Sequence, residues 1–353
     1  LNALRVKSGS ITIDNTKYDI VGARQEKDYP TETISDSSVF DPAYLNGYTV
    51  GGETTLFKTI TITPAAAKDS TISYGGTTLK QGETIKDGKG GTATVDRKNN
   101  TITLNNFNGT KALSFDATLA DSTLVLEGTN TLSSIVTTQK DLTISGSGSL
   151  TVGSIKVTNN DNIRADLTIT DGAAVIAKSN ATRAIDIKGD LTVTNGSLTA
   201  TSTSNNVPTV QVGGNATFTG STVTITNNST TQGEQYKDSN AASSALHVNG
   251  AVTISGGTVT AEAKAGGDAI RAVGNITVSN DATVTAKNNS QYFSAITAGR
   301  ATGGVVNTLY NLIVSGENTR ITATNTHDNN LAYGGAINAY IKNANEGHYL
   351  QVG

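Results

Sequence analysis

Ala184-Ile-Asp-Ile-Lys-Gly-Asp-Leu-Thr-Val-Thr-Asn-Gly-Ser-Leu-Thr-Ala200 holds three short runs in which apolar and polar residues alternate, separated by Lys-Gly-Asp and Asn-Gly-Ser. Alternation with period two is the signature of a strand with one buried face, and Gly, Asn, Asp and Ser are turn formers. The same order returns in Ala245-Leu-His-Val-Asn-Gly-Ala-Val-Thr-Ile-Ser-Gly-Gly-Thr-Val-Thr-Ala261 and in 269–286. We call the three runs strands a, b and c.

Working outward, strand a recurs as Ala112-Leu-Ser-Phe115, Ser134-Ile-Val136, Ser154-Ile-Lys-Val157, Thr209-Val-Gln-Val212, Ala295-Ile-Thr-Ala298 and Ala336-Ile-Asn-Ala339. Strand b opens at Leu142, Leu167, Leu191, Ala216, Val252, Ile276 and Leu312, so the spacings are 25, 24, 25, 36, 24 and 36. Strand c supplies pairs such as Leu150/Val152, Val223/Ile225 and Ile321/Ala323. A repeat of this length with three strands predicts an all-β fold, a right-handed single-stranded parallel β-helix in which each coil stacks on the last. Right-handedness is expected because crossovers between parallel strands are almost always right-handed. Residues 73–353 are assigned to the helix, its last coil incomplete at Leu350-Gln-Val352, and residues 1–72 to an N-terminal β cap that shields the first strand edge. The opening at Leu1 reads as a mature or trimmed chain.

Composition narrows the function. Among 353 residues, 26 Lys+Arg oppose 29 Asp+Glu, giving a net charge of −3 and no field to gather phosphate, so nucleic acid is not an expected partner. No apolar run approaches the roughly 18 residues of a membrane span, so no membrane insertion is expected. The chain has no Cys and no Met, which suits an oxidising, extracellular setting.

The runs Thr92–Asn106 (TATVDRKNNTITLNN), Leu124-Val-Leu-Glu-Gly-Thr-Asn-Thr-Leu132 and Leu142-Thr-Ile-Ser-Gly-Ser-Gly-Ser-Leu-Thr-Val152 resemble the β-helix region of large Gram-positive cell-surface proteins, many described as carbohydrate-binding. More distantly the chain is similar to pectate lyases and to the binding regions of serine-rich-repeat adhesins. The resemblance implies secretion, attachment to a bacterial cell surface, and a polysaccharide or host glycan as partner.

A pectin-type lyase or hydrolase is the catalytic alternative. Hydrolysis needs clustered carboxylates, and the Asp runs of such enzymes do not occur here. Gly267-Asp-Ala-Ile-Arg271 is the nearest lyase-like candidate; a spacing of three on a strand would send Asp268 and Arg271 to opposite faces, which predicts a turn Asp and a solvated Arg. His247, His327 and His348 are too far apart for a metal triad and read as surface residues. Asp141, Asp166 and Asp190 recur at one corner of successive coils, either as turn residues or as a weak Ca²⁺ site. No other cofactor is expected.

Binding is expected where coils lengthen. Insertions at 226–244 and 324–335 separate c from a, and insertions at 299–311 and 340–349 separate a from b. The c-to-a corner gathers Tyr236, with Tyr292 and Tyr333 each three residues before a strand-a Ala, and the other corner gathers Tyr310, Tyr340 and Tyr349 with Arg300, Lys342 and His348. Exposed Tyr rings take the apolar faces of sugars, so the first functional expectation is a non-catalytic glycan-binding adhesin module. The remaining alternative is a structural stalk or fibre that associates head to tail through an open last coil.

Overall fold

In the computed structural model, side chains are described within 71–97, 99–116, 121–138, 140–158, 164–231, 243–299, 310–327 and 335–339, and backbone alone at 300–302, 305–309, 340–343 and six short strands between 18 and 64. Every regular element among the described residues is a β-strand. Two compact units are present, Leu1–Asp69 and Ser70–Gly353.

In the first unit, Tyr18–Ala23 pairs antiparallel with Glu32–Thr33 and Thr59–Pro64. Val39–Asp41, Gly47–Val50 and Glu53–Leu56 form an antiparallel meander.

The second unit is dominated by parallel pairs, and their registers are those of the repeat. Ladder a aligns Leu113, Ile135, Ile155, Ile185, Val210, Leu246, Ile270, Ile296 and Ile337. Ladder b aligns Leu142, Leu167, Leu191, Ala216, Val252, Ile276, Leu312 and Ile341. Ladder c aligns Leu150, Val175, Leu198, Val223, Val259, Val284 and Ile321. Because the side-chain period is two, a slip of one residue would turn every aliphatic out, so the pattern itself locks the register. The long spacings, 216 to 252 and 276 to 312, leave that register untouched.

From Leu113 to Leu312 the aligned apolar side chains are buried, with Ile135, Leu167, Val193, Phe218, Ile254 and Val278 all at 0% exposure, while Ile321 and Ile337 in the last repeats are half-buried. Each such side chain contributes on the order of 1.5–3 kcal/mol by leaving water. Between strands b and c the backbone turns through left-handed residues, Asp171, Asn195 and Asn280 among them. Gly257 is required at its turn: its φ is +75° and a Cβ there would meet the Ser221 carbonyl oxygen at 2.2 Å.

The first parallel rung is covered by antiparallel strands. Thr71–Tyr74 pairs antiparallel with Ala112–Asp116, and Thr92–Asp96 pairs antiparallel with Thr101–Asn105 and Thr84–Lys86. These strands come from 71–96. At the other end one expectation is corrected. Tyr340–Asn343 is a rung of ladder b, with Ile341 opposite Leu312, and not the start of an a-to-b insertion. The backbone enters this rung directly after strand a, so no longer connection is needed; Leu350-Gln-Val352 lies outside the described residues.

Candidate functional site

The Asp column comes together as the repeat predicts, and its geometry gives each carboxylate a backbone partner. Asp141 Oδ1 accepts the Asp166 amide at 2.8 Å, Asp166 Oδ1 the Asp190 amide at 2.7 Å, and Asp190 Oδ1 the Asn215 amide at 2.7 Å. Asn215 and Asn275 continue the device, accepting the amides of Ala251 at 3.0 Å and Asn311 at 2.9 Å. An Asx side chain before strand b therefore caps the next repeat, and either Asp or Asn serves. Among the described residues no group of three or more His, Asp or Glu side chains could hold a metal ion.

Burial raises the Asp141 carboxyl above the usual carboxylate range, against the lowering effect of the Asp166 amide; the carboxylates of Asp166 and Asp121 push the same way as burial. A raised folded-state pKa means that the folded protein holds this proton more tightly than the unfolded chain. The stability it contributes is complete below the unfolded value and is lost as pH rises through the folded one. Asp141→Asn keeps the acceptor and removes the charge. The variant should melt above the parent near pH 7 and level with it near pH 3, as followed by circular dichroism.

Asp268 and Arg271 require a correction. They do not diverge: Arg271 Nη1 lies 3.5 Å from Asp268 Oδ2, and both side chains are 2% exposed. Asp268 precedes the strand Ile270–Ala272, so strand alternation does not govern the pair. Asp268 Oδ1 also accepts the Ser294 amide at 3.0 Å and the Thr297 hydroxyl at 2.7 Å, which binds its turn to the next repeat. Burial raises the Asp268 carboxyl, opposed by Arg271, Thr297 and Ser294. His247 is likewise buried rather than on the surface, aligned with Arg271 in ladder a. His327 is partly buried, its Nδ1 3.3 Å from Asn289 Oδ1.

Of the aromatic candidates, Tyr310 is the large hydrophobic side chain left exposed among the described residues, at 39%. Its backbone is fixed on both sides: its amide donates to the Ala298 carbonyl at 3.1 Å, and the next amide, Asn311, donates to Asn275. It follows an antiparallel hairpin, Ile296–Thr302 with Val305–Leu309, which occupies the predicted a-to-b insertion and carries Arg300 opposite Thr308. Tyr292 is half-buried, its amide on the Ser290 hydroxyl at 3.3 Å. Tyr340 and Lys342 are placed by backbone only, as rung members of ladder b. Tyr236, Tyr333, Tyr349 and His348 lie outside the described residues.

Two features were missed in the sequence. Asn side chains staple the c-to-a turns: buried Asn288 donates through Nδ2 to Phe293 O at 2.8 Å, and partly buried Asn325 through Nδ2 to Ser290 O at 2.8 Å. The signal was an Asn two residues past the last strand-c aliphatic, at 227, 288 and 325. The second is a contrast between solvent-side positions. Ladder a carries Lys156 and Asp186, and ladder c carries Lys178, Glu262 and Lys287. From Thr143 to Ser279 ladder b carries hydroxyls alone, aligning Thr143, Thr168, Thr192, Thr217, Thr253 and Thr277. Thr194, Thr219, Ser255 and Ser279 form a second file beside them.

In comparisons with known proteins, no family model, no curated protein and no solved structure matches the chain.

Proposed function

We propose that the three ladders wind about one core as a right-handed parallel β-helix, and that this rod is an extracellular bacterial-surface module that binds glycans without altering them. The winding is supported by the strand order a, b, c in each repeat, by parallel pairing of each strand to its counterpart, and by the handedness of parallel crossovers. The sequence resemblance to Gram-positive surface proteins supports the location.

The observation that carries the binding reading is Tyr310, an exposed ring on a backbone pinned to two neighbouring segments. An exposed aromatic offers a flat apolar surface to the C–H face of a sugar, and a fixed backbone lowers the ordering cost of binding. Against catalysis stands the fate of the lyase-like pair: Asp268 and Arg271 are spent on internal contacts away from solvent.

A glycan array with the full chain tests this reading. It predicts retention on a subset of polysaccharides and a signal weakened several-fold by Tyr310→Ala, in line with roughly 1 kcal/mol for one ring contact. Tyr292→Ala, at a half-buried position on the c-to-a corner, serves as the comparison. An array without any retained glycan, from protein with an unchanged β-sheet spectrum, would refute it.

A further inference from the structure

Resting on that glycan-binding reading, we infer that the ligand is an uncharged, extended polysaccharide lying along ladder b, across the hydroxyls of Thr217, Thr219, Thr253, Ser255, Thr277 and Ser279. All six are half-buried, on the solvent side of buried Ala216, Phe218, Val252, Ile254, Ile276 and Val278. Their aligned backbone repeats at the strand spacing of about 4.8 Å, so a polymer with a constant repeat meets the same pair of hydroxyls on each rung.

Charge selects the chemistry. Solvent-facing strands ordinarily carry Lys or Glu, which discourage edge and face association. Ladder c follows that rule with Glu262 and Lys287, whereas ladder b carries no charge along these rungs. Its margin before strand b changes in step: Asp141, Asp166 and Asp190 give way to Asn215, Ala251, Asn275 and Asn311. At the other margin, Asp281 has its Oδ1 engaged by the Asn318 amide at 3.3 Å. A face of hydroxyls and methyls without a cation offers nothing to neutralise uronate or sialate, and it suits a neutral chain. Tyr310, which is exposed, immediately precedes the Asn311–Val314 rung of the same ladder.

The test is sedimentation of the full chain with insoluble cellulose and with chitin, beside retention on immobilised polygalacturonate, in Thr217→Glu/Thr253→Glu and in Thr224→Glu/Thr260→Glu on ladder c. A carboxylate pressed against a neutral chain loses water and gains no partner, so the ladder b variant should lose about tenfold or more in apparent affinity for a neutral polymer. The ladder c variant should bind as the parent does. Thr217→Val/Thr253→Val/Thr277→Val keeps β-branching and removes the hydroxyls, so it probes the face if the charged pair fails to fold; reduced binding is again expected. Neutral-polymer binding that survives both ladder b variants but falls with Tyr310→Ala would overturn the inference and leave the glycan reading standing. Retention only on polygalacturonate would overturn it equally. Binding to no glycan would overturn both.

Discussion

Asp268→Ala is expected to destabilise the second unit by about 3–5 kcal/mol, because it strands the Arg271 guanidinium without its carboxylate in a site 2% exposed. The Ser294 amide and the Thr297 hydroxyl lose an acceptor in the same step. Against a total of about 5–15 kcal/mol for a typical domain, that loss brings unfolding within reach of mild denaturant. The pair itself is not expected to be a large net source of stability, since desolvation offsets most of its attraction. Removing both charges should therefore cost much less than removing one: Asp268→Ala/Arg271→Met should recover most of the midpoint in urea melts. A single variant as stable as the parent would mean that the buried Arg271 charge does not depend on Asp268, contrary to this account.

Phe218→Ala should cost about 3–5 kcal/mol, the usual range for emptying a buried Phe site. Phe218 is 0% exposed and stands in ladder b between Val193 and Ile254, so each neighbouring repeat loses part of its contact. Backbone pairs above and below hold the rung in place, which limits collapse into the cavity. Phe218→Leu retains most of the volume and should cost well under half as much. Thr217→Ala, one residue away on the solvent side, should stay within about 1 kcal/mol. The three midpoints, read in one urea series, rank burial against strand propensity at adjacent positions.

The ladders were legible because each aligned position asks for one property. Leu, Ile, Val or Ala recurs at every inward place, and the spacing of Leu167, Leu191 and Ala216 is the register later seen. Even the 36-residue steps could be read, since the aliphatics resume in phase after them. The Asp column was legible as a position but not as a bond. Which atom a turn Asp caps depends on the neighbouring repeat, and the replacement of Asp190 by Asn215 was the available clue. Asp268 with Arg271 misled because strand alternation was extended two residues too far, into a turn. His247 misled for a different reason: solvent-side positions of ladder a are exposed at Lys156 but buried at His247 and Arg271. Local pattern does not report what covers a face. The end of the chain was misassigned because Tyr340-Ile-Lys-Asn343 carries its single aliphatic, Ile341, between polar residues, and so reads as linker.

The continuous hydroxyl face exists only if one strand of each repeat stacks directly on its counterpart. The distance between nitroxide labels on Thr143→Cys and Thr277→Cys measures that stacking most directly, and the chain has no native Cys to interfere. The registers place these positions five rungs apart in ladder b, which predicts a distance of about 24 Å at the strand spacing of about 4.8 Å. A single distribution centred there supports the ladder and the hydroxyl files built on it. A distribution centred well beyond that, or several separate ones, would contradict the stacking and with it the surface assigned to the glycan.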